Sequence, residues 1–116
     1  MAVDEQLAAR VRAMLKDQKS LQEKTMFGGL AFLLEGHMCC GVHRRELIVR
    51  VEPARHEECL AKPNTREFDL SGRRAIRGWL LVTEKGCLSE RDLRSWVDEG
   101  LHFVLSLPPK KKKVGK

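Results

Sequence analysis

The chain has 116 residues, 42% hydrophobic and 33% charged, which suits one globular domain that builds a core without disulfides or a metal. No apolar run approaches the ~20 residues that cross a bilayer, and MAVDEQLAAR lacks the basic start and apolar stretch of a signal peptide, so a cytoplasmic protein without a membrane partner is expected. The net charge is +6, but Lys110, Lys111, Lys112, Lys113 and Lys116 supply five of those charges and residues 108–116 hold no acid; subtracting them leaves +1 for residues 1–107, whereas a fold that reads nucleic acid concentrates Lys and Arg on itself.

Residues 4 to 16 are predicted to form an amphipathic helix. Leu7, Val11, Met14 and Leu15 make one apolar stripe, Asp4 can cap it, and Glu5 suits the positive end of the dipole. DQKSLQEK then reads as a polar connection. From Thr25 the period changes. Leu30 to Leu34, then Glu35-Gly36, then His37 to Val42 is a hairpin signal, because glycine accepts the positive φ of primed turns. A two-residue loop sets Leu34 opposite His37, Leu33 opposite Met38, Phe32 opposite Cys39 and Ala31 opposite Cys40. A further strand runs from Glu46 to Val51, with Leu47, Val49 and Val51 on one face and Ile48 and Arg50 on the other.

Glu52-Pro53 opens a second helix that stops before Pro63. Phe68 to Leu70 reads as short and extended, Ser71-Gly72 as a turn, and Gly78 to Val82 as a strand ended by Glu84-Lys85-Gly86. Ser89-Glu90-Arg91-Asp92 has capping-box spacing. It starts a last helix with Leu93, Trp96, Val97, Leu101 and Val104 on one side, in which Gly100 costs about 1 kcal/mol against alanine. Pro108-Pro109 ends that helix. The predicted order is helix, three strands, helix, one or two strands, helix. The class is α+β: a single domain over residues 1–107, its antiparallel sheet flanked by N-terminal, middle and C-terminal helices, with a basic disordered tail at 108–116.

The glycines of TMFGGLAFLLEGHMCCGV lead into strand-like residues, with no helix N-terminus after them and Lys24 upstream, so a bend or bulge is favoured over a phosphate loop. Four cysteines, Cys39, Cys40, Cys59 and Cys87, are read as reduced, buried thiols. Adjacent residues on a strand point to opposite faces, so Cys39 and Cys40 are not expected to share an ion. His37 and His43 lie too far apart along a strand. His56 and Cys59, three apart on a helix, lack a second pair of familiar spacing. No metal, cofactor or small-molecule substrate is assigned. No catalytic motif appears, and the chain is read as no enzyme. For Arg50, within a strand, an ion pair with an acid such as Asp69 or Glu52 is favoured over anion binding. Trp79 suits core or interface packing.

EKTMFGGLAFLLEGHMCCGV, LIVRVEP, FDLSGRRAIRGWLLV and LRSWVDEGLHFVLSLPPK resemble the N-terminal domain of the TfoX, or Sxy, competence-regulator family over about residues 4 to 110. Met26-Phe27-Gly28-Gly29 is the most specific element, and Gly36, Met38, Arg50, Gly72, Gly78 and Trp79 also fit the family pattern. The resemblance implies an α+β fold with an antiparallel sheet, a bacterial setting and a regulatory role in relatives that control DNA-uptake genes. Those relatives carry a C-terminal helical domain that this sequence lacks. No catalytic residues are implied.

The leading expectation is a non-enzymatic interaction module acting by contact with another protein or a second copy of itself. Phe27, Gly28, Gly29, Arg50 and Trp79 are its candidate surface residues. The alternative is a nucleic-acid-associated regulator using Lys110, Lys111, Lys112 and Lys113 of the tail. A thiol or metal sensor built on Cys39, Cys40 or His43 is the third reading.

Overall fold

The computed structural model describes residues 4–26, 28–68 and 76–108. The first helix, α1 (Glu5–Leu15), starts where a short acceptor side chain stands ahead of the apolar stripe. Asp4 Oδ1 accepts from the backbone N–H groups of Gln6 at 2.9 Å and Leu7 at 3.2 Å, donors that have no partner within the helix itself. Leu7, Ala8, Val11 and Leu15 are its buried residues.

Four strands follow in sequence: β1 (Leu21–Met26), β2 (Gly29–Leu34), β3 (His37–His43) and β4 (Glu46–Arg50). Pro53–Arg55 forms a 3-10 turn that runs into α2 (His56–Leu60). β5 (Thr65–Glu67), β6 (Trp79–Val82), a second 3-10 turn at Glu84–Cys87 and α3 (Glu90–Leu105) complete the order. Ser89 caps α3 by accepting from the Asp92 N–H at 3.0 Å. The fold is the α+β arrangement expected, with one more strand before the middle helix than the sequence suggested. The second half of the stretch read as polar connection, 21–24, belongs to β1, which runs on to Met26. The expected turn at Ser71-Gly72 lies outside the described residues, as does all but Phe68 of the extended stretch expected at 68–70; β5 ends just before it.

The sheet order is β1-β2-β3-β4-β6-β5, with each neighbouring pair antiparallel. Glu35 and Gly36 both take positive φ, 51° and 84°, as a type I′ turn requires. Leu34 therefore pairs with His37 and Leu33 with Met38, as expected. Beyond them the register shifts. Phe32 pairs with Cys40 and Ala31 with Gly41, so Cys39 is the extra residue of a β-bulge.

That bulge corrects the cysteine geometry. Cys39 and Cys40 belong to the same core cluster, with Phe32, Leu34, Val42, Leu47, Val49, Leu80 and Val82 from the sheet. Residues from all three helices close over that face, among them Val11, Cys59, Leu93 and Val97. The opposite face carries a smaller cluster of Ala31, Met38, Ile48 and Leu81, against which Leu33, Phe68 and Trp79 pack. The central strand β4 is thus buried on both faces, which accounts for its unbroken Leu47-Ile48-Val49 run.

Candidate functional site

The structure separates the residues that the sequence singled out. Gly28 and Gly29 stand where β1 meets β2, beside Val42 and His43. Arg50 and Trp79 pair with one another at the other end of the sheet, about 13 Å further along the strands at 3.3 Å or so per residue. Phe27 and Lys110 to Lys113 lie outside the described residues.

At the first end the glycines serve the backbone. Gly28 has φ +74°, and among the described residues a Cβ on it would meet His43 Nε2, at 4.0 Å. Gly29 is different: a Cβ there would overlap the Val42 carbonyl oxygen of the neighbouring strand. The pair needs close backbone approach, which agrees with the bend-or-bulge reading.

At the second end Arg50 makes no ion pair among the described residues. Its guanidinium carbon lies 5.4 Å from the Trp79 ring centre and 5.3 Å from that of Phe103 on α3. The cation is held between two π faces, each contributing about 0.5–2 kcal/mol according to its exposure. Of the two carboxylates considered for Arg50, Glu52 makes no ion pair with it, and Asp69 is outside the described residues. Trp79 also packs its ring against Phe68, with centres 6.0 Å apart. The stack ties the last turns of α3 to β4 and β6. Nearby, His37 Nε2 meets the Pro108 carbonyl at 2.8 Å and ties the segment after α3 to the β2–β3 turn.

The His56–Cys59 pair is committed elsewhere. His56 Nδ1 accepts from the Gly78 N–H at 2.8 Å. A backbone amide only donates, so the ring proton sits on Nε2, which faces Glu67 Oε2 at 3.4 Å. The buried imidazole thereby joins α2, β5 and the turn into β6. Arg55 adds a two-bond pairing to Glu99 of α3, at 2.7 and 3.2 Å. Among the described residues, no group of three or more His, Cys, Asp or Glu is placed to hold a metal ion. No helix among them is long and apolar enough to cross a membrane.

All four cysteines are free and buried. Hydrogen bonding to Cys39, then burial, pushes the Cys40 thiol well above the ordinary range. Burial raises Cys59 and pushes Cys87 up to about 11. Thiols held protonated are weak nucleophiles and weak ligands. Their protonated state contributes stability in full below the unfolded thiol value of about 8.5. That contribution is lost as pH rises toward the folded values, because the unfolded chain releases these protons first. Urea midpoints are therefore expected to fall between about pH 8.5 and 11. A thiol reagent at pH 8 is expected to react rapidly only after denaturation. Rapid labelling of the native chain would contradict this burial.

The element that sequence reasoning missed is β1. Among the described residues it is hydrogen-bonded to β2 alone, and all of its residues after Leu21 are exposed. Register fixes which of its backbone groups are free. Leu34 and His37 flank a two-residue turn and bond each other, so Leu33, Ala31 and Gly29 direct their N–H and C=O toward β1. Their partners Gln22, Lys24 and Met26 face inward, and Leu21, Glu23 and Thr25 present backbone donors and acceptors at the sheet edge. Solvent on both sides of a strand removes the alternation by which a sequence announces one.

No curated protein and no solved structure matches the chain. A family model described as the TfoX N-terminal domain matches residues 13–104, a narrower span than the quoted motifs suggested but one that takes in every strand, α2 and nearly all of α3. The chain belongs to the TfoX N-terminal domain family.

Proposed function

We propose that this chain is a non-enzymatic, cytoplasmic interaction module with a regulatory role, acting by protein–protein contact through the β1 edge. The observation that supports the reading is the edge itself: six residues, paired on one side, with Glu23 and Thr25 offering backbone groups that are unpaired among the described residues. Extended segments of partner proteins add to such edges by main-chain hydrogen bonds.

The partner favoured is another protein rather than a second copy. Antiparallel self-pairing must match outward residues with outward residues. The two registers that pair most of β1 set Glu23 against Glu23 or Lys24 against Lys24 of the other copy, and like charges directly opposite are destabilising. The edge of a different protein is free of this β1–β1 constraint.

The test places a photo-crosslinking residue at Gln22 in the full chain, expressed in its native cells, with and without Thr25→Pro. Proline removes one outward N–H and leaves the β1–β2 ladder intact. A crosslinked protein adduct that disappears with Thr25→Pro is expected. Adducts indifferent to the proline, or only self-adducts, would sink the proposal.

A further inference from the structure

A cleft of about 570 Å³ opens beside the β3–β4 turn, lined by His43, Arg44, Arg45, Glu46, Arg66 and Glu84. Its volume lies in the range of small-ligand sites. Three guanidinium groups from two separate chain segments face two carboxylates there. Arg66 Nη2 is held by both oxygens of Glu46, at 2.9 and 3.1 Å. Arg45 meets Glu84 only at 3.8 Å, with both side chains more than half exposed. Arg44 makes no ion pair among the described residues.

The frame around these groups is fixed. Arg44 takes φ +58° in the turn, and its carbonyl accepts from the Asp4 N–H at 2.9 Å, pinning the turn to the start of α1. His43 Nδ1 is buried without a hydrogen-bond partner among the described residues, while its Nε2 faces Gly28. The cleft thus joins one uncommitted guanidinium and one loosely committed one to a third that Glu46 holds by a single nitrogen.

From this arrangement we infer that the cleft binds the phosphate group of a small ligand, with Arg44 as its principal contact, Arg66 adding the nitrogens that Glu46 does not hold, and Arg45 recruited from Glu84. Guanidinium forks match phosphate oxygens by paired, charge-assisted hydrogen bonds. A doubly charged phosphate, with three acceptor oxygens, can engage more than one fork at once. A single carboxylate brings less charge against the repulsion of Glu46 and Glu84. The site stands apart from the β1 backbone edge, so either reading can fail alone.

Binding of inorganic phosphate and of adenosine monophosphate to the full chain, at ionic strength held constant with chloride, tests the inference. The lysine tail is common to every variant, so differences among variants report the cleft. Arg44→Gln and Arg66→Gln are each expected to weaken phosphate binding about tenfold, one charge-assisted contact's worth. Glu84→Gln is expected to tighten it, since it frees Arg45 and removes a like charge. Equal binding of the two probes marks phosphate alone as the ligand, and tighter monophosphate binding marks a nucleotide. Absence of binding above the chloride control, indifference to all three substitutions, or equal binding of citrate would overturn it. Circular dichroism confirms that each variant is folded.

Discussion

Gly100→Ala is expected to destabilise the protein by about 2 kcal/mol, although the same change in an unpacked helix stabilises by about 1 kcal/mol. The sign turns on what lies beneath. A Cβ built on Gly100 comes 2.5 Å from the Cys39 carbonyl oxygen and 3.4 Å from both the Arg50 carbonyl oxygen and Cys39 Sγ. The nearest obstacle is backbone, so no rotamer change relieves it. Either α3 lifts from the sheet or the bulge at Cys39 flattens, and overpacking of this kind costs about 1–3 kcal/mol. Lifting α3 also draws Phe103 away from Arg50. Urea unfolding of Gly100→Ala measures the change, with Arg94→Ala on the exposed side of the same helix as the reference. A Gly100→Ala protein as stable as wild type, or more so, would mean that α3 does not rest on the bulge.

The Gly100 contact also shows where sequence reading stopped. A single glycine in a helix registers as a propensity cost, and only the packed structure reveals the carbonyl it accommodates. The helices were legible because each buries one stripe: Leu7, Val11 and Leu15 in α1, and Leu93, Trp96, Val97 and Val104 in α3. Their caps at Asp4 and Ser89 were legible because capping is local. The Glu35-Gly36 turn was legible for the same reason. The bulge was not, because an extra residue among Met38, Cys39 and Cys40 breaks no hydrophobic pattern, all three being buried. β1 was missed because Gln22, Glu23 and Lys24 meet water on both faces. Arg50 was given a carboxylate by analogy with buried cations in general. Its actual neighbours are Trp79 and Phe103, the latter far along the chain, and no local spacing announces them. The cleft at Arg44 was illegible for a similar reason, since Arg66 reaches it only through the order of strands in the sheet.

Gly29→Ala is expected to destabilise by about 3 kcal/mol, and Gly28→Ala by only about 1. The two glycines are neighbours, yet they are constrained by different physics. At Gly28 the obstacle is conformational: φ is +74°, and among the described residues a new methyl group meets nothing closer than 4.0 Å. A left-handed residue bearing a Cβ costs about 1–2 kcal/mol, and Ser20, Glu35, Arg44 and Asn64 already bear it elsewhere in this fold. At Gly29 the obstacle is the Val42 carbonyl, with the Val42 carbonyl carbon and His43 Cα each 3.3 Å away behind it. These are atoms of the adjacent strand, so relief requires β2 and β3 to part where Leu30 pairs with Val42. The damage should therefore appear as faster amide exchange at the Gly29–Leu30 end of β2, with Leu34 and His37 still protected. Stability and exchange measured on both variants decide the matter. If Gly28→Ala proves the more harmful, the glycine pair serves the shape of the turn; if Gly29→Ala does, the pair serves the approach of β2 to β3. In the second case the β1 edge is held in place by a backbone contact that admits no side chain, and loosening it should weaken partner capture at Gln22 together with stability.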